Sequence, residues 1–124
     1  FVYKKTAQEK YQAQVILAKE INKALNAMMA DLSLTQAASV RGVPSDGKWH
    51  HHIDFNLESE GRVQYSQINT QLNRHSRGQT QVVANHIKDL NFRRMAADAS
   101  MLQVQIKARN QASLASSFNI RLRE

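Results

Sequence analysis

A chain of 124 residues, 42% hydrophobic and 22% charged, suits one globular domain with one core. It contains no cysteine, which excludes a disulfide framework, a thiolate nucleophile and a cysteine-bound zinc. No apolar run approaches the roughly 20 residues of a membrane span. The formal charge of +7 is unevenly placed: residues 1–60 hold seven Lys/Arg and seven Asp/Glu, whereas residues 61–124 hold ten basic groups and three acidic ones. Such a field attracts nucleic acid, an acidic protein or a membrane surface, and it equally suits a solvated basic face. The opening Phe1-Val2-Tyr3, in place of a Met, is expected to be what remains after an upstream segment is removed.

The first forty residues read as one long helix. Tyr11, Val15, Ala18, Ile21, Leu25, Met28 and Leu32 recur at steps of three and four and share one face. Good helix formers dominate, and no Gly or Pro occurs before Gly42. Gly42 and Pro44 are expected to end the helix. Forty residues give roughly 60 Å, longer than a small domain is wide. Part of the helix is therefore expected to project, with the polar "FVYKKTAQEK" as its free end.

The rest reads as antiparallel sheet. From Trp49 to Leu57 the odd positions are mostly apolar and the even ones polar, which is period two. This predicts His51 on the core side, with His50, His52 and Asp54 outward. "ESEG" turns the chain. Val63 and Tyr65 open a second strand, which Ile68 and Leu72 continue in the opposite phase, so a bulge is expected near Ser66-Gln67. "RHSRGQ" reads as a loop, and "TQVVANHI" does not decide between strand and loop. Leu90 and Phe92 alternate, then "AADAS" turns. Leu102 to Ala108 alternate, "RNQASLAS" reads as a loop, and Phe118, Ile120 and Leu122 alternate to the end. The expected class is α+β: a long N-terminal helix over 1–41 packed on an antiparallel β-sheet of four to five strands over 42–124.

Chemistry is sparse. There is no Gly-rich phosphate loop, nucleophile elbow or His-Glu-x-x-His pattern, so no catalytic residue and no cofactor are assigned. His50, His52 and Asp54 form a weak metal candidate, roughly 7 Å apart on one strand face, open and with no further ligand nearby. The run is internal and continues a strand pattern, which argues against a tag. Arg93, Arg94, Lys107, Arg109, Arg121 and Arg123 fall on three successive strands and would form a basic patch if those strands are neighbours. Aromatics for base stacking are few, and no recognition helix follows the first.

The order of these segments resembles the type IV pilin-like family, and within it the minor pilins and J-type minor pseudopilins of type II secretion. The resemblance rests on "MMADLSLTQAASV" late in the helix. It continues with Tyr65 followed by Leu72-Asn73-Arg74, and then Ala84, Ile87, Leu90 and Phe92 at family-like spacing. "LQVQIKA" and the closing "SSFNIRLRE" complete it. The resemblance implies a non-enzymatic subunit with a methylated N-terminus, anchored in the inner membrane by a hydrophobic half-helix ahead of Phe1. Its soluble domain would lie in the periplasm and join a pilus or pseudopilus, at or near the tip, where it primes assembly. Its partners would be other pilin or pseudopilin subunits, met through Tyr11, Leu17, Ala24, Met28 and Met29. The absence of cysteine departs from the branches stapled by a C-terminal disulfide. The second reading is a pilin-like DNA- or ligand-binding module that uses the basic sheet face. A third, an enzyme, rests only on the histidine strand.

Overall fold

Helix α1 spans Ala7–Leu32, 26 residues and about 39 Å long. The computed structural model describes residues 7–108 and 111–124, with side chains except at 7–11, 13 and 111–114. The helix expected over 1–41 therefore stops nine residues early, and its first six positions lie outside the described residues. Gly42 and Pro44 are not what ends it. Ser33 Oγ donates to Ala30 O and Thr35 Oγ1 donates to Asp31 O, so side chains compete for the last helical carbonyls. Arg123 N then donates to Thr35 O and Ala37 N to Arg123 O. The C-terminal segment thus captures the chain in extended form just after Leu32.

Strands take up 49% of the described residues and helix 22%. The expected long helix packed on one sheet of four to five strands is thereby corrected. The fold is mostly antiparallel β, with seven strands in two sheets. The first sheet has the order β1-β2-β3-β4, from Ile53–Leu57, Gly61–Ile68, Gln71–Ser76 and Gln79–Ala84. The second has the order β5-β6-β7, from Ile87–Arg94, Met101–Ala108 and Gln111–Arg121.

The extra strands arise from tight turns, one unmarked in the hydropathy pattern and one inside the segment read as a loop. Ile68 pairs with Gln71, so the chain reverses in a two-residue turn at Asn69-Thr70, and the bulge expected near Ser66-Gln67 is absent from the β2–β3 register. Ser76 pairs with Gln79 across Arg77-Gly78. Arg77 and Gly78 both have positive φ, 55° and 75°, the backbone of a type I′ hairpin. His86, at φ 61°, turns the corner between the two sheets.

One core serves all elements. Ile21, Ala24, Met28 and Leu32 of α1 are buried with Ile53, Phe55 and Tyr65 of the first sheet and Leu90, Phe92, Val104 and Ile106 of the second. The sheets are stitched at two places. His50 and Phe92 exchange both backbone hydrogen bonds at 2.7 Å. The Gln67 side-chain amide donates to the carbonyls of Ile87 and Lys88. The helix lies against β4, β6 and β7.

Candidate functional site

The strongest polar cluster sits where α1 meets the first sheet. Tyr65 on β2 and Arg74 on β3 are direct cross-strand partners, which aims both side chains at the same face. Asp31, in the last turn of α1, meets both: the Tyr65 hydroxyl donates to its Oδ2 at 2.5 Å, and Arg74 Nε donates to the same oxygen at 2.8 Å. Arg74 Nη2 also pairs with Glu60. Burial, reinforced by the Asp31 carboxylate, raises the Tyr65 pKa far above the ordinary range of a phenol. Asp31 and then Glu60 hold the Arg74 guanidinium in its charged form. Each group is satisfied by the others, so the cluster contains no poised nucleophile or base. Its effect is mechanical: it locks the helix to the sheet.

A second lock lies eleven residues earlier, three turns along the same flank of the helix. Glu20 Oε2 accepts from Asn85 N at 2.7 Å, and Lys23 sits 3.0 Å from Oε1. Burial opposes ionisation of Glu20, but the Asn85 N–H, Lys23 and His86 outweigh it and hold its pKa below the usual value. Neither acid was singled out from the sequence. The signal that finds them is a pair of carboxylates at i and i+11 flanking the apolar stripe.

The three candidate metal ligands point to three different partners. Strand β1 begins only at Ile53, so Trp49–His52 precede it instead of opening it. His50 Nε2 meets both Asp46 oxygens at 3.1 Å. Asp54 is taken by Arg62 at 2.9 Å. The His52 ring covers Gly42, where an added Cβ would lie 3.0 Å from Nε2. Among the described residues no group of three His, Cys, Asp or Glu side chains is placed to hold a metal. His51, expected on the core side, is exposed, with Nδ1 3.3 Å from Leu90 O.

The basic patch also disperses. Arg94 is buried, donating from Nε to Ala99 O and from Nη2 to Ala37 O, and burial lowers its pKa. Arg93 faces outward from β5, with its guanidinium 4.3 Å from the Trp49 ring centre. Lys107 stands opposite Asp89 in the β5–β6 register. Arg121 pairs with Asp98 at 3.1 Å. Arg123 lies beyond β7, where its backbone meets Thr35 and Ala37. Arg109 lies outside the described residues. Of the six, Arg93, Lys107 and Arg121 lie at outward positions of the second sheet, and β5 adds the exposed Lys88.

The helix residues expected at a partner interface divide similarly. Ala24 and Met28 are both 0% exposed and belong to the chain's own core, which corrects their assignment to a contact surface. Met28 belongs to the apolar stripe, and Ala24, three residues after Ile21 and four before Met28, shares its buried face. Leu17 is half-buried against the core. The Tyr11 side chain is outside the described set. Met29 is exposed. Val15, read as part of the apolar stripe that covers the sheet, is 38% exposed, and Ile16, which the sequence reading did not single out, is 54% exposed. Among the described side chains of α1 the first fully buried one is Ile21. No protein-family model matches this sequence, and no curated protein does so either.

Proposed function

We propose that this chain is a non-enzymatic assembly subunit of the minor pilin or pseudopilin type, with the early turns of α1 as its contact surface. The observation that carries the reading is the pair Val15 and Ile16, exposed on a helix whose later turns are fixed to the body. Exposed apolar side chains that a partner would cover support a protein or membrane contact at these turns. Glu20 and Asp31 support it by anchoring the same helix at two points, so the early turns are presented in one direction. The resemblance in "MMADLSLTQAASV", Tyr65, Arg74 and the closing strand points the same way. In this reading the subunit is held in the inner membrane by an apolar segment ahead of Phe1, with its body outside the membrane. Its neighbours are other pilin-like subunits packed helix to helix.

The coding sequence upstream of Phe1 tests the proposal. About twenty consecutive apolar residues leading into α1 support it. A polar segment, or a further globular domain joined there, contradicts it.

A further inference from the structure

The chain lays its own backbone on three of its sheet edges. At β1, Arg41 and Asp54 exchange both backbone hydrogen bonds, at 2.7 and 2.9 Å. At β5, His50 does the same with Phe92. Just beyond β7, Arg123 meets Thr35 and Ala37. The fourth edge, that of β4, meets no such segment among the described residues, and β4 pairs with β3 alone. Gln79, Thr80, Gln81 and Val82 on it are all exposed, Val82 by 45%. Open edges are ordinarily guarded by a Lys, a Pro or an inward-pointing charge. Gln79–Ala84 contains none of these.

The hairpin fixes which backbone groups are open. Ser76 and Gln79 flank a two-residue turn, so they form its first hydrogen-bonded pair. Pairing alternates from there: Gln81 bonds to Arg74, while Thr80 and Val82 turn their N–H and C=O away from β3. Those groups have no other hydrogen-bond partner among the described residues. The bulge at Val83 ends the regular run. A two-fold axis through Gln81 sets Thr80 of one copy against Val82 of the other, and the reverse. Both are hydrogen-bonded pairs, so the open groups of each copy satisfy those of the other. The strand is uncharged, so the axis brings no like charges together. On the outer face the exposed Val82 gains the Thr80 methyl as a neighbour. On the helix side the two Gln81 amides meet, and each both donates and accepts. A cleft lined by Ala27, Ala30, Tyr65, Arg74 and Val83 opens beside Gln81 and leaves room for them. Many strands could fill an open edge. This segment is its own complement in register, charge and face, and that selects a second copy.

We infer that β4 is a self-association edge, at which two copies of this chain join their four-stranded sheets into one continuous sheet. A patch this short makes a weak, transient pair. The inference does not rest on the assembly reading, which concerns the early turns of α1.

The test uses the full chain, which has no cysteine of its own. Gln81→Cys is expected to give a disulfide-linked dimer under mild oxidation, because facing residues of a non-hydrogen-bonded pair have Cα atoms about 4.5 Å apart. Thr80→Cys and Val82→Cys are each expected to stay monomeric alone and to crosslink when mixed, since each faces the other. In the Gln81→Cys chain, Val82→Lys is expected to abolish the crosslink with an unchanged melting temperature. Asn119→Lys, on the other sheet, is expected to leave it intact. In the unsubstituted chain the Thr80 and Val82 amides are expected to exchange with solvent more slowly as concentration rises. A folded Gln81→Cys chain that crosslinks no faster than Asn119→Cys overturns the inference. So does crosslinking that survives Val82→Lys, or is equal at positions 80, 81 and 82. Concentration-dependent protection at Val15 and Ile16 but not at Thr80 and Val82 also overturns it, and leaves the α1 reading standing.

Discussion

The Tyr65 hydroxyl donates to the Asp31 carboxylate at 2.5 Å, across the junction of the helix and the four-stranded sheet. Arg74 closes the same carboxylate from the other side at 2.8 Å. Removing one donor and removing the acceptor therefore have different costs. Tyr65→Phe keeps the ring's packing against Phe55 and leaves Asp31 with Arg74, so a loss of about 1–2 kcal/mol is expected in urea unfolding. Asp31→Ala strands both the hydroxyl and part of the guanidinium, and a loss of about 2–4 kcal/mol is expected. Equal costs for the two variants would show that the acid is not the hub.

The same contact makes the fold sensitive to alkali. Burial and Asp31 raise the Tyr65 pKa above its ordinary 10.0, so the native state keeps a proton that the unfolded chain gives up. Stability from this group is complete below pH 10 and declines as pH rises beyond it. Phenolate absorbance from Tyr65 is expected to appear only with unfolding. Tyr65→Phe is expected to remove that component from the titration and to flatten the alkaline decline.

Acid acts through different residues. Glu20, Asp46 and Asp98 all have lowered pKa values, from ordinary values of 4.5, 3.8 and 3.8. The unfolded chain binds protons at these positions before the native state does, so stability falls as pH drops below about 4.5. Denaturant midpoints measured between pH 6 and pH 3 are expected to fall steadily. Glu20→Gln is expected to lower stability near neutrality and to make the acid limb shallower, because it removes one titrating anchor of the helix.

What the sequence discloses here follows from the range of each interaction. The alternation in Leu102 to Ala108 and the helical period from Ile21 to Leu32 are local, and both elements stand where the pattern puts them. Ile68 and Leu72 were read as one bent strand because Asn69-Thr70 carries no Gly or Pro to announce the turn. The turns at Asn69 and His86 rest on left-handed residues that no Gly announces, whereas the Arg77-Gly78 turn lies inside the segment read as a loop. The end of the helix at Leu32 depends on Arg123 reaching Thr35 and Ala37, a contact between distant segments that no window of sequence contains. For the site, Arg94 and Arg93 are adjacent in sequence and face opposite ways, so a count of charges overstated the basic face. Met28 was read as a contact although its place on the apolar stripe puts it inside, and Ala24, read as off that stripe, is buried as well.

Gly42 is required by both conformation and space. Its φ is +85°, and a Cβ there would lie 3.0 Å from His52 Nε2 and 3.2 Å from the His52 carbonyl. Gly42→Ala is expected to cost about 1–3 kcal/mol. Gly78→Ala shares the positive φ but meets nothing within 4 Å, so its cost is expected to be smaller. Thermal melts of the two variants, compared side by side, check the ordering.

The central claim is that the early turns of α1 are a contact surface for other subunits. It is tested most directly by placing a photo-crosslinking residue at Ile16 in the full chain, in the cells that make it, with Lys88 as the exposed control. The expected result is crosslinks from Ile16, and not from Lys88, to small envelope proteins that carry an apolar N-terminal helix, lost when Val15 is changed to Asp. Crosslinks from Lys88 alone, or no crosslink from Ile16 while the protein is folded and abundant, would contradict it.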